Sequence, residues 1–172
     1  MAGGESSRMG KDKGLLDYKS NPMIMHVINA IPTNRPLFIS TQNPTYHKFG
    51  YPLIHDHYPN SGPLGGIEAA LTTLKSTVLF LPCDVPNISQ KTIEKVIASA
   101  KDSLITIVED EFGLHPTLGI YPYDTLSLIR AHLEEKNFKL LHTLRKFGFQ
   151  TVSPIIGDLE LKNFNTPKDL CE

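Results

Sequence analysis

Short apolar runs alternate with helical periodicities along the whole chain. Residues 77–81 (TVLFL) form the clearest buried strand, because apolar and β-branched residues follow one another without interruption. Behind Asn21 and Pro22, apolar residues recur at i, i+3, i+4 and i+7, which predicts a capped helix with the proline at its first position. This alternation predicts an open, largely parallel sheet covered by helices on both faces.

The remaining elements follow the same alternation to the end of the chain. Apolar runs predict further strands at 36–40, 51–54, 103–108, 117–121 and around 151–152. Helical spacing predicts helices from Gly65 through Leu74, behind a cap at Ser89, around 126–133 and around 140–147. Because neither a repeat nor a linker interrupts this order, residues 1–172 are predicted to form a single domain.

Composition narrows the classes of protein to which the chain can belong. The 172 residues are 40% hydrophobic and 20% charged with a formal net charge of −1, which is typical of a globular domain. This balance excludes a strongly basic polynucleotide binder and gives no general attraction to anionic membranes. Two cysteines, Cys83 and Cys171, cannot build a disulfide framework, and no signal peptide is recognisable, so we expect a cytoplasmic protein.

A glycine-rich, basic segment at residues 2–13 (AGGESSRMGKDK) predicts a phosphate-binding loop. Glycines let backbone N–H groups approach an anion, and Arg8 and Lys13 add positive charge. A flexible basic tail is the alternative interpretation. Such loops normally follow a buried strand, and here the loop comes directly after Met1, so we expect the first strand to lack its upstream residues.

Asp84 follows the best-defined strand and lies between Pro82 and Pro86. Ligands of open α/β sheets bind beyond the carboxyl ends of the strands. A carboxylate held there suits magnesium, which usually takes one or two carboxylates together with phosphate oxygens. The alternative is a turn-forming aspartate beside proline. We interpret the neighbouring Cys83 as a packing residue rather than a nucleophile, because no partner histidine can be assigned.

A third polar cluster begins at Asp56 and runs through residues 60–66 (NSGPLGG) into a helix. The glycine pair Gly65 and Gly66 can offer N–H groups to a nucleotide and leaves room for a flat base. A long surface loop is the alternative interpretation. The histidines on either side of Asp56 do not have the spacing of a zinc site.

Two further motifs carry a weaker signal. His115 and Pro116 come close to the predicted strand at 117–121, and Asn163 and Asn165 precede Pro167. The asparagines could bind a polar substrate, but capping the helix that Pro167 begins is the simpler interpretation.

In their order along the chain, these motifs resemble the molybdenum cofactor guanylyltransferases. The matching motifs are AGGESSRMGKDK at 2–13, GPLGGI at 62–67, PCDVP at 82–86, HP at 115–116 and NFNTPKDL at 163–170. The resemblance implies a three-layer α/β/α fold of the nucleotide-diphospho-sugar-transferase type with a mixed, mainly parallel sheet. It also implies transfer of GMP from magnesium-bound GTP to the terminal phosphate of molybdopterin, with release of pyrophosphate.

The resemblance assigns a role to each matching residue. Together with the glycine pair, the residues implied to bind the nucleotide are Met1, Ala2, Gly3, Lys13, Asp56 and Asp84. The residues implied to act in catalysis are Arg8, Lys13 and Asp84, of which Asp84 holds Mg²⁺. The residues implied to lie near the pterin acceptor are Asn163 and Asn165. Where many members have asparagine after the strand at 36–40, this chain reads Ser-Thr-Gln-Asn at 40–43.

Two other functions fit parts of the pattern. One is another nucleotidyltransferase that uses CTP or a sugar phosphate, against which the GPLGG sequence at 62–66 argues. The other is a non-catalytic nucleotide-binding module, against which the joint presence of Arg8, Lys13 and Asp84 argues. The implied partners are GTP, molybdopterin and, transiently, other molybdenum-cofactor proteins, with neither nucleic acid nor a membrane among them.

Overall fold

A computed structural model describes residues 1–2, 12–155 and 160–164 of the chain. The strands are β1 (Asp17–Tyr18), β2 (Asn21–Pro22), β3 (Ile39–Ser40), β4 (Leu53–Ile54), β5 (Val78–Phe80), β6 (Ile105–Asp110), β7 (Gly113–Tyr121) and β8 (Phe149–Val152). The α-helices are α1 (Met23–Ala30), α2 (Pro63–Leu74), α3 (Gln90–Ala98), α4 (Leu126–Glu134) and α5 (Leu140–Phe147). Within the described ranges, every helix is too short or too polar to cross a membrane.

The main sheet has four strands in the order β5-β7-β6-β8. Strand β7 pairs antiparallel with both β5 and β6, whereas β6 and β8 are parallel. Strands β5, β6 and β8 therefore run in one direction and β7 alone runs against them. A separate parallel pair is formed by β3 and β4. The structure confirms the predicted α/β class with a mixed sheet.

The backbone of Met1 and Ala2 lies between these two groups of strands. The Met1 nitrogen donates to the Leu81 carbonyl at 2.5 Å, and the Cys83 N–H donates to the Met1 carbonyl at 3.1 Å. On the other side, the Ala2 N–H donates to the Ser40 carbonyl at 2.9 Å. Residues 1–2 thus connect the end of β3 with the segment that follows β5.

Helices cover both faces of the sheet. On one face, α2, α4 and α5 contribute buried apolar side chains that pack with Phe80 and Ile107 of the sheet. On the other face, α1 and α3 pack with Val108 and Ile120. The two clusters lie on opposite faces because successive side chains of a strand, such as Ile107 and Val108, point to opposite sides. This is the three-layer arrangement that the sequence predicts.

Three local predictions need correction. Pro22 is the N-cap of α1 rather than its first helical residue, and Asn21 provides no side-chain cap because both residues pair with β1. Helix α2 begins at Pro63, two residues before Gly65, because a proline at the first position has a backbone angle already suited to the helix. His115 lies inside β7, which starts four residues earlier than predicted.

A largely apolar cleft of about 650 Å³ separates β3 from β5 and ends at Met1. Its walls come from α1, α2 and α3 and from both strands, with Ile28, Leu74, Val78 and Ile97 among the side chains. The cleft therefore has the position and lining of a site for one more buried strand between β3 and β5.

Filling this cleft is expected to stabilise the protein. About six apolar residues added ahead of Met1 would span about 20 Å as a strand. We expect burial of their side chains to exceed the cost of ordering them by about 1–2 kcal/mol, which raises Tm by about 2–8 °C. Differential scanning calorimetry measures the effect, and an extension of equal length made of serine and glycine is the control. Equal melting temperatures for the two extended proteins would contradict the prediction.

Candidate functional site

The carboxyl ends of β3, β4 and β5 bring the main polar motifs to one edge of the protein. Thr41 follows β3, Asp56 comes two residues after β4, and Asp84 comes four residues after β5. Residues 1–2 lie between the first and the last of these ends. Because parallel strands all end at the same edge, loops that are distant in sequence share one crevice, as ligand sites of open α/β sheets do.

Lys13 and Asp84 form a pair of opposite charge in this crevice. The Lys13 Nζ lies 3.7 Å from the Asp84 Oδ2, and the two side chains are 27% and 23% exposed. Both groups can therefore be reached by a ligand while each is held in place by the protein. The predicted phosphate-binding lysine and the predicted metal-binding aspartate thus lie next to each other.

The position of Lys13 is fixed by Asp12, whose role is not evident from the sequence alone. The Asp12 Oδ1 accepts hydrogen bonds from the Tyr46 hydroxyl at 2.5 Å and from the Gly14 N–H at 3.2 Å. Its Oδ2 accepts one from the Asn43 amide at 3.1 Å. Asp12 is also the N-cap of a short 3₁₀ helix, Lys13–Leu15. These contacts set the start of the turn that carries the lysine.

Gly14 allows this turn to lie directly against the segment before Asp84. A Cβ on Gly14 would be 2.4 Å from the Tyr46 hydroxyl and 3.2 Å from the Cys83 sulfur, so a larger residue would push the turn away. Burial raises the pKa of the Cys83 thiol to about 12. The thiol is therefore protonated at neutral pH, which supports its interpretation as a packing residue.

A second cluster consists of Met1, Ser40, Asp56 and Gly66. We name it the base-side cluster, after the nucleotide base for which the sequence predicts room beside the glycine pair. A Cβ on Gly66 would lie 2.7 Å from the Met1 Cε, 2.9 Å from the Ser40 Oγ and 3.5 Å from an Asp56 carboxylate oxygen. Glycine is therefore the residue that permits this close approach. Burial raises the pKa of Asp56, while the flanking histidines act in the opposite direction.

The two glycines of the GPLGG sequence have different surroundings. A Cβ on Gly65 would lie 2.1 Å from the Ser61 Oγ and 3.0 Å from the Tyr58 carbonyl oxygen, away from the base-side cluster. The Gly65 N–H also donates to the Gly62 carbonyl at 3.2 Å. Gly65 therefore lets the preceding loop pack closely on α2, whereas Gly66 faces the crevice.

Residues 160–164 pack against the loop that contains Asp84. The Phe164 N–H donates to the Asp84 carbonyl at 2.9 Å, and Asn163 beside it is exposed. The Glu160 carboxylate is buried and accepts hydrogen bonds from the Ser89 N–H at 2.6 Å and the Thr92 hydroxyl at 2.9 Å. Asn163 is the chain neighbour of Phe164, so this anchoring brings it near the loop that carries the predicted metal ligand.

The structure brings together most of the predicted site residues within its described ranges. Lys13 pairs with Asp84, and Met1 lies with Asp56 and Gly66. Ala2 forms its backbone hydrogen bond at the same edge. The predicted residues outside the described ranges are Gly3, Arg8 and Asn165.

Asp84 also allows a test of whether magnesium fits this site. Among the described residues, no group of three or more histidine, cysteine or acidic side chains could enclose a metal ion. The partly exposed Asp84 carboxylate instead fits the way in which Mg²⁺ binds, with one or two protein carboxylates and phosphate oxygens from a substrate.

Sequence reasoning missed two sets of supporting residues. Asn43 anchors Asp12 and also caps the 3₁₀ helix Pro44–Phe49. The Asn-Pro pair, which is typical of a helix start, was the sequence signal that could have identified it. Glu68 is completely buried in α2, where a single charged residue interrupts an apolar run. That interruption was the signal for the network around Glu68 described below.

Comparison with known proteins gives the family context of this site. The family model described as the MobA-like NTP transferase domain matches residues 1–149. The molybdenum cofactor guanylyltransferase of Vibrio parahaemolyticus is 32% identical over 178 residues, covering 100% of this chain and 91% of that protein. The corresponding enzyme of Haemophilus influenzae is 36% identical over 149 residues, covering 82% of this chain and 78% of that one.

Solved structures support the fold. The molybdopterin-guanine dinucleotide biosynthesis protein A of Archaeoglobus fulgidus superposes with a TM-score of 0.80 at 17% identity, covering 99% of this chain and 92% of that one. A CMP:2-keto-3-deoxy-manno-octonic acid synthetase complexed with CTP superposes with a TM-score of 0.68 at 13% identity, covering 91% and 87%. The nucleotide-diphospho-sugar-transferase type of fold predicted from the sequence is thus confirmed.

Proposed function

The chain belongs to the family of MobA-like NTP transferase domains, and on that premise we propose that it transfers GMP from GTP to the terminal phosphate of molybdopterin and releases pyrophosphate. It is a nucleotidyltransferase. The observation that carries the proposal is the Lys13–Asp84 pair, which lies at the same edge of the sheet as the base-side cluster. A phosphate-binding group and a base-binding group are thereby available to one nucleotide.

The chemistry of nucleotidyl transfer explains why charged residues dominate the site. An acceptor phosphate is already ionised near neutral pH, so the reaction needs no strong general base. It needs two anionic groups to be brought together, which makes positioning and charge neutralisation the main contributions. In this proposal Lys13 binds the phosphates of GTP, and Arg8 of the glycine-rich segment adds a second cation.

We propose that Asp84 holds Mg²⁺ together with phosphate oxygens of GTP. When bound, the ion supplies positive charge beside the reacting phosphate. The protein's own contribution is to fix the carboxylate, since Pro82 and Pro86 restrict the backbone on both sides of Asp84. Its carbonyl is fixed as well by the hydrogen bond from Phe164.

Asp56 supports the choice of guanine over cytosine. Guanine presents two neighbouring N–H donors on its pairing edge, which one carboxylate can accept together, whereas cytosine has a single amino donor there. Ser40 supplies a hydroxyl next to Gly66, at the start of the sequence Ser-Thr-Gln-Asn that stands where many relatives have an asparagine after the strand. We propose that Met1, Ala2 and Gly3, together with Gly66, complete the binding of the guanosine part, and that Gly65 contributes by letting the preceding loop pack on α2.

We propose that Asn163 and Asn165 bind the pterin acceptor. The described part of their segment adjoins the Asp84 loop through the Phe164 hydrogen bond, so an acceptor bound there would approach the phosphates of GTP. The proposal makes GTP and molybdopterin the two substrates and places the reaction in the cytoplasm. Any contact with other molybdenum-cofactor proteins would then serve to pass on the acceptor or the product.

The nucleotide preference gives a direct test of this function. We expect GTP to raise Tm more than CTP, ATP or UTP, and magnesium to increase the effect of GTP, because a ligand that binds only the native state stabilises it. Thermal shift with each nucleotide, with and without Mg²⁺, measures the order. Asp56→Asn is expected to reduce the GTP shift while leaving the melting temperature of the free protein nearly unchanged. Equal shifts with CTP and GTP would contradict the guanine assignment.

A further inference from the structure

We propose that Glu68 is a positioning residue that holds His57 beside Asp56 and thereby sets the affinity and selectivity for guanine. This inference rests on the proposed function and assigns a role to a buried carboxylate that the reaction itself does not use. Glu68 lies in α2, two residues after Gly66. Its contact with His57 connects this helix with the loop that carries Asp56.

The Glu68 side chain is 0% exposed and its two oxygens have different partners. The Oε2 lies 2.9 Å from the Nδ1 of His57, in the loop after β4. The Oε1 accepts hydrogen bonds from the Thr72 hydroxyl at 2.7 Å and from the Arg130 Nε at 2.8 Å. The Arg130 Nη2 donates to the Thr72 hydroxyl at 2.8 Å, which closes the network between α2 and α4.

These partners determine the charge state of Glu68. Burial alone would raise the pKa of the carboxyl, but the hydrogen bonds from Thr72, Arg130 and His57 outweigh it, and the pKa is lowered. The carboxylate is therefore ionised at neutral pH in a site without exposure to water. Such a group is costly to bury and is a poor way to stabilise a helix interface that apolar side chains could fill. A role in specifying the position of its partners accounts for it better.

The partner that matters for the nucleotide is His57. Its side chain is 49% exposed, so the ring extends from the buried carboxylate to solvent. His55, on the other side of Asp56, is held in a similar way, because its Nδ1 lies 2.7 Å from the Thr41 carbonyl oxygen. Asp56 therefore lies between two anchored imidazoles, which restrict the backbone that carries it.

The electrostatic surroundings of Asp56 agree with this geometry. Burial raises the pKa of Asp56, both neighbouring histidines lower it, and Glu68 raises it. The net pKa of Asp56 is raised, and an imidazole held beside it opposes this rise and so favours the ionised form that accepts the N–H groups of guanine. Arg130 satisfies the other oxygen of Glu68, so that His57 remains on the Oε2.

The test compares steady-state kinetics of Glu68→Gln and His57→Ala in the full-length protein. The glutamine keeps the shape but loses the charge and one acceptor oxygen, so it can hold Arg130 and His57 together only with the imidazole in its other tautomer and without charge assistance. For each variant we expect the KM for GTP to rise about 10-fold with kcat within about 2-fold, together with a smaller ratio of GTP to CTP binding. The double variant is expected to match the single variants rather than to multiply their effects.

A matched control separates positioning from loss of stability. Leu133→Ala creates a cavity in the same core, at an α4 residue whose apolar side chain cannot take part in the hydrogen-bond network, and should lower Tm at least as much as Glu68→Gln while leaving the KM for GTP unchanged. His57 is half exposed, so His57→Ala remains informative even if Glu68→Gln folds poorly.

The outcomes distinguish this inference from the proposed function. If the wild-type protein binds GTP selectively and neither Glu68→Gln nor His57→Ala changes KM or nucleotide preference, the positioning role is wrong and the function stands. If the effects of the two substitutions on KM multiply in the double variant, Glu68 does not act through His57. If the wild-type protein shows no preference for GTP, the proposed function fails, and this inference fails with it.

Discussion

Replacing Asp84 by asparagine is expected to lower GMP transfer by at least about 10²-fold, the scale of losing one preorganised electrostatic group. Asparagine has nearly the same shape as aspartate, and the backbone carbonyl at position 84 can still accept the Phe164 N–H, so the fold should be retained. What is lost is the negative charge that pairs with Lys13 at 3.7 Å and that we propose to hold magnesium. Pyrophosphate release from GTP and molybdopterin measures the activity, and circular dichroism verifies folding.

The matched control for this substitution is Asp102→Asn, which removes the same charge from an exposed turn. It should leave the rate unchanged. The Asp84 variant should also lose the additional thermal shift that magnesium gives in the presence of GTP, which tests the metal assignment without relying on turnover. A folded Asp84→Asn protein with near-wild-type turnover at limiting magnesium would leave Asp84 as a turn-forming residue.

Replacing Lys13 by methionine is expected to reduce transfer by a similar order, about 10²-fold, because the phosphates of GTP lose a positive charge that the protein holds in place. Methionine is close in length and fits the partly buried path of the lysine stem. The loss should be seen both in KM for GTP and in kcat, since the phosphates carry charge in the ground state and in the transition state.

Two further variants test whether the effect at Lys13 comes from its charge and its position. Lys91→Met removes an exposed lysine from α3 and should leave the kinetics unchanged. Lys13→Arg keeps the charge and should retain more activity than Lys13→Met. If the methionine variant binds GTP as tightly as the wild-type protein does, the phosphate-binding role of Lys13 is wrong.

Elements whose signals are local were predicted well from the sequence. Ser89 caps α3 through a hydrogen bond from the Thr92 N–H at 3.1 Å, as its position before an amphipathic helix suggested.

The start of β7 was missed because Pro116 reads as a strand breaker. The structure accommodates it by a register shift, in which Gly119 pairs with Ile107 but His115 pairs with Val108. The bulge places the proline where no ladder hydrogen bond is needed.

Contacts between distant segments could not be predicted from periodicity. The Lys13–Asp84 pair joins residues 71 positions apart, and its existence depends on which strand ends become neighbours. The amide of Asn43, for example, holds Asp12, which lies 31 positions earlier in the chain. A family resemblance supplied the roles of the site residues, whereas the partners of Glu68 became visible only when α2, α4 and the loop after β4 were placed in space.

The connection of the two groups of strands through Met1 and Ala2 has a consequence for cooperativity. Within the described residues, the backbone hydrogen bonds that bridge β3 and the segment after β5 are those of residues 1–2. Asp56 and Ser40 belong to one side of this seam and Asp84 to the other. A nucleotide bound through its base on one side and its phosphates on the other therefore acts as a cross-link. The amide protons of Ala2 and Cys83 should be the ones whose exchange with solvent slows most when such a ligand binds, because their hydrogen bonds join the two sides that the ligand holds together.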